Sequence, residues 1–149
     1  LSLEDVADAL GDSGAVAVDE VSLALLSGDV SAFERDYARL RHEGIQPIAV
    51  LRQLLSLFKG MQAAKARMQT GQSAAQAIAQ LRPPVHFKMK PVITRQLGLW
   101  REAQIADAIV RVMQAEIQTK SAASADPSTL TGQILLGICL RARQFNTRR

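Results

Sequence analysis

At 149 residues the chain is one domain long, enough to bury about two-thirds of the surface its unfolded form exposes, so folding needs no staple. Hydrophobic residues make up 48% against 4% aromatics, with Ala, Leu, Gln and Arg abundant, which favours packed helices over sheets; a single cysteine, Cys139, excludes an internal disulfide. The net charge of +4 hides a division, because residues 1 to 43 carry ten acids against three Arg or Lys, whereas residues 44 to 149 carry four acids against fifteen.

No acid stands between Glu43 and Glu102, yet that interval holds Arg52, Lys59, Lys65, Arg67, Arg82, Lys88, Lys90, Arg95 and Arg101. A block of this kind points to an acidic partner, either a protein face or nucleic-acid phosphates; a solvated basic face is the alternative. No apolar run reaches the roughly eighteen residues of a membrane span, and the acidic start (Glu4, Asp5, Asp8) is unlike a targeting peptide. The expectation is a soluble, cytoplasmic, all-α chain.

In chain order, Ser2 and Asp5 resemble the start of a capped helix with Leu3, Val6 and Leu10 on its apolar stripe. Gly11-Asp12-Ser13-Gly14 reads as a turn that ends it. From Val16 the stripe Val18, Val21, Leu25 and Leu26 predicts a second helix, closed by Ser27-Gly28-Asp29. Val30, Phe33, Tyr37 and Leu40 mark the next, which should fold back on it as an antiparallel hairpin. Pro47 fits the first turn of a long helix whose face (Ile48, Leu51, Leu54, Leu55, Phe58, Met61, Met68) runs to Gly71.

Ser73 caps a short helix ended by Pro83 and Pro84, and Pro91 places the following start near Lys88 to Lys90. Ile105, Ile109, Val112, Met113 and Ile117 mark a long helix from about Arg101 to Ala122. Asp126-Pro127 caps the last helix, with Leu130, Ile134, Leu135 and Ile138 facing inward to about Phe145 and a fraying tail from Asn146.

Residues that could carry chemistry are few. His42, His86 and Cys139 have no ligand spacing, so no metal site is expected. Cys139 lies on an apolar helix face, where cysteine acts as a small hydrophobe. No phosphate loop or dinucleotide fingerprint occurs, and no catalytic residue or cofactor is expected. Glu116 and Lys120 are four apart in the orientation that favours an ion pair, and Trp100 suits an inter-helix anchor. His86, Phe87, Lys88 and Lys90 are the candidate DNA contact: an aromatic beside alternating bases, after a proline break, suits phosphates and a stacked base. The bland alternative has Phe87 in the core and the lysines solvated.

These features fall in a recognisable order. Ser2, Leu3, Glu4, Asp5 and Val6 precede Val21, Ala24, Leu25, Gly28 and Asp29; then come Glu43, Gly44, Pro47, Ile48 and Leu51. Arg82-Pro83-Pro84-Val85-His86-Phe87-Lys88, Gln96-Leu97 with Trp100, and Glu116 with Lys120 follow. The series resembles the C-terminal part of the delta subunit of the bacterial DNA polymerase III clamp loader. The resemblance implies that residues 1 to 14 end an AAA+-like lid domain and that residues 15 to 149 form a helical collar domain of about seven helices. It implies a non-catalytic assembly role in the pentameric loader that places the sliding clamp on DNA. The partners would be the gamma/tau and delta-prime subunits, with DNA met inside the assembly and the clamp gripped only by a preceding N-terminal domain. The rival expectation is a free-standing basic all-α nucleic-acid-binding module.

Overall fold

Seven helices account for the fold, and no strand occurs among the described residues. The computed structural model describes residues 3–121 and 126–147, with side chains of the first helix from residue 14 onward. The helices are α1 (Leu3–Ser27), α2 (Val30–His42), α3 (Pro47–Gln69), α4 (Ala74–Ala79), α5 (Lys90–Leu99), α6 (Glu102–Ser121) and α7 (Pro127–Thr147).

The largest departure from expectation is α1, which runs unbroken through Gly11-Asp12-Ser13-Gly14. Two interior glycines cost about 1 kcal/mol each relative to Ala, but ending the helix there would unpair the backbone groups of a whole turn. The helical pattern on both sides therefore wins. The expected first and second helices are one element of 25 residues. The expected cap at Ser2, and the side chains of Glu4, Asp5 and Asp8, lie outside the described residues.

Gly28 turns the chain at φ +69°, and the Asp29 carboxylate accepts from the Ala32 backbone N–H at 3.1 Å to cap α2. With so short a connection, α2 packs back along α1 through Phe33, Tyr37 and Leu40. Pro47 opens α3 in its first turn, and α3 is the central element, packed against α1, α4 and α6. Leu51, Leu54, Phe58, Met61 and Ala64 are fully buried along it. Each such leucine or phenylalanine contributes about 1.5–3 kcal/mol by leaving water. Ser73 and Gln76 form a reciprocal capping box at α4, and Asp126 caps α7 through the Ser128 N–H and Thr129 hydroxyl. Burial of Leu135, Ile138, Cys139 and Ala142 docks α7 against α1, α2 and α6.

The chain end also differs from expectation. Helix α7 extends through Thr147, and Asn146 donates to the carbonyls of Leu26 (3.2 Å) and Ala142 (2.9 Å) while accepting from Gln96 (2.9 Å). A residue expected to fray is instead fixed to the end of α1.

Candidate interaction surfaces

Trp100 is the joint of the bundle. It ends α5 in extended conformation, is fully buried, and its indole N–H donates to the Leu26 carbonyl at 3.2 Å. Its ring meets Phe58 of α3 at 5.2 Å and Phe145 of α7 edge-on at 5.0 Å, so one side chain ties α1, α3, α5 and α7 together. Trp100, expected as an inter-helix anchor, lies where four helices meet.

Glu116 and Lys120 form the expected pair at 3.1 Å, but the more informative contact is with Arg52 of α3 at 3.5 Å. Glu116 and Arg52 are both largely screened from water, whereas Lys120 is exposed. The inter-helix contact joins α3 to α6 and removes one base from the acid-free block. Lys65 is also occupied, donating to the Leu97 carbonyl at 2.8 Å, and Arg82 folds back on the carbonyls of Ala79 and Leu81. Among the described residues Lys59, Arg67, Lys88, Lys90, Arg95 and Arg101 have no carboxylate within ion-pair distance.

His86, Phe87 and Lys88 lie in the segment between α4 and α5, and Lys90 is the first residue of α5. All four are exposed, Phe87 at 68%. The Phe87 ring leans on His86 at 4.8 Å, and His86 Nδ1 accepts from the Lys88 backbone N–H at 3.2 Å. The segment presents an open aromatic platform beside two ammonium groups that have no carboxylate partner among the described residues. The neighbouring Met89 is the one buried residue of the group and fastens the segment to the core.

A second surface was hidden by the sequence pattern. Met113 and Ile117, which with Ile105, Ile109 and Val112 mark this helix in the sequence, are 47% and 65% exposed, and Val110 is 50% exposed. Ile109 is half-buried, and the inward face of α6 is Ile105, Ala108, Val112 and Ala115. Ala103 and Ala106 are exposed as well. At 3.6 residues per turn Ala106, Val110, Met113 and Ile117 fall on one stripe along the outside of α6. This helix is therefore apolar on two opposite faces, one of them uncovered in the single chain.

Cys139 is buried with its thiol directed at the Ala24 carbonyl, and desolvation pushes its pKa up to about 12, which keeps it a thiol. Among the described residues no three His, Cys, Asp or Glu side chains converge as a metal site, and no helix is long and apolar enough to cross a membrane. Against protein-family models, curated proteins and solved structures, the chain gives no match.

Proposed function

We propose that this chain is a non-catalytic assembly domain, the collar of a clamp-loader delta-type subunit, held in a ring with gamma/tau-type and delta-prime-type partners. The observation that carries an assembly role is the uncovered apolar stripe Ala106, Val110, Met113 and Ile117 on α6. Solvent-facing helix positions with no partner are ordinarily polar, whereas a helix apolar all round is one that is covered on both sides. The seven-helix all-α bundle and the order of the residues from Val21 to Lys120 support the finer identification. Pull-down with the purified ATPase and delta-prime subunits tests it. Recovery of either one, abolished in a variant carrying both Met113→Glu and Ile117→Glu, is the expected outcome. Failure to recover either, with tight binding of a short DNA duplex by the isolated chain, overturns the loader reading.

That second outcome would favour the free-standing nucleic-acid-binding module, for which the open Phe87 platform beside Lys88 and Lys90 is the specific support. Within the loader reading the same segment would touch DNA as a secondary role. Replacing both lysines with Ala should lower the salt slope of DNA binding by about one unit for each phosphate no longer neutralised. An unchanged slope leaves both lysines as solvated charges.

A further inference from the structure

A cavity of about 720 Å³ opens between α1, α3 and the segment leading into α5, within the size range of small-ligand and side-chain pockets. Its walls are aliphatic: Leu57 and Met61 from α3, Leu81 and Val85 from the linking segment, and Met89 and Ile93 from the entry to α5. Lys59, Arg67, Arg82 and His86 line the same cavity, as does the carboxylate of Asp19, which is engaged by Gln53. None of the first three is within ion-pair distance of a carboxylate among the described residues.

One wall holds a polar group that the fold leaves incomplete. Gln53 is 1% exposed and lines the cavity; its Nε2 donates to the Asp19 carboxylate at 2.7 Å, whereas its Oε1 is buried with no partner among the described residues. The bond to Asp19 fixes which end of the amide is which.

We infer that this cavity is a docking site for a short segment of a partner protein carrying large aliphatic side chains flanked by carboxylates. The aliphatic side chains pack over Leu57, Leu81 and Val85, and the carboxylates meet Lys59 and Arg67 at the mouth. A nucleobase fits less well, because among the described residues His86 is the only aromatic ring on the lining and the Phe87 platform lies outside it. The site is distinct from the α6 stripe, and the inference stands whether or not the chain belongs to a loader.

Fluorescence anisotropy with the full 149-residue chain tests this, using a labelled peptide of alternating Glu and Leu, a Lys/Leu peptide of the same length and an oligothymidylate. Two variants separate the contributions. Ala63→Trp, at an exposed position on the lining, fills the cavity without entering the core; Lys59→Glu with Arg67→Glu reverses the charge of the mouth. Saturable binding of the Glu/Leu peptide is expected, with little for the Lys/Leu peptide. The charge reversal should weaken it about tenfold or more, and Ala63→Trp should abolish it while the circular dichroism melt stays in place. The inference is overturned by absent saturation, by equal binding of the two peptides, or by Glu/Leu affinity that neither variant changes. It is equally overturned if oligothymidylate is the probe whose binding Ala63→Trp removes.

Discussion

Gly28 and Gly44 both hold a positive φ, +69° and +77°, yet their surroundings differ completely. A Cβ at Gly28 would lie 2.2 Å from the Arg143 backbone nitrogen, whereas nothing lies within 4 Å of one at Gly44. The left-handed conformation alone costs a non-glycine residue about 1–2 kcal/mol, and a backbone clash adds overpacking of about 1–3 kcal/mol. Gly44→Ala should therefore lose about 1 kcal/mol in urea unfolding and Gly28→Ala more than about 3, with α7 displaced from the α1–α2 turn. Equal losses would mean that α7 yields at Arg143. Tyr37 and Cys139 give a second residue-scale outcome. Desolvation raises both pKa values to about 12, from ordinary values of 10.0 and 9.0; Tyr37 is also held by its hydroxyl donating to the Ser128 carbonyl at 2.6 Å. Both are acids bound more tightly to their protons in the folded state, so their contribution is complete below pH about 9 and is lost as pH rises from there to about 12. Stability measured across that window should fall, and a variant combining Tyr37→Phe with Cys139→Ala should show a shallower slope. An unchanged slope would place the alkaline loss elsewhere.

Among the elements, α6 separates what holds the bundle together from what is left for a partner. Val112 is fully buried on its inward face, so Val112→Ala should cost about 1–3 kcal/mol in a urea melt. Met113→Glu with Ile117→Glu, on the outward stripe, should change stability by no more than about 0.5 kcal/mol per site. A large loss from the outward pair would mean that the stripe is internally covered and would remove the support for assembly. The same helix shows how far the sequence could be read. Helix existence, the proline starts of α3 and α7, the Asp29 and Asp126 caps and the inward Trp100 were legible because each rests on local chemistry. The two faces of α6 were not, because Ile105 with Val112 and Met113 with Ile117 each satisfy helical spacing, and spacing alone does not say which face the rest of the chain covers. The same limit hid Gln53 and Gln96, whose partners Asp19 and Asn146 are 34 and 50 residues away in sequence. It hid the continuity of α1 for the opposite reason: the glycines gave a strong local signal that the ladder of a long helix overrode. Sequence leaves the exposure of Phe87 open, since an aromatic beside lysines suits either the core or a surface platform.

For the whole molecule, the decisive question is whether seven helices unfold as one. Helix α1 packs against α2, α3, α5 and α7, and α3 joins α1 to α4 and α6, so no pair of helices is packed only on each other. Trp100 reports on this network directly, because its N–H is held by α1 while its ring is held by α3 and α7. As the only tryptophan it is also the only indole signal, and its environment is lost when any one of those helices leaves. Chains of this size commonly unfold in one cooperative step. Tryptophan fluorescence and far-UV circular dichroism should therefore trace superimposable urea transitions. Trp100→Phe removes the hydrogen bond to Leu26 and leaves a small cavity, so it should lower the midpoint by the equivalent of about 1–3 kcal/mol while keeping a single circular dichroism transition. If helical signal persists after the fluorescence change is complete, part of the bundle survives without the joint, and the α1–α2 hairpin with its own buried Phe33, Tyr37 and Leu40 is the unit to examine by hydrogen exchange.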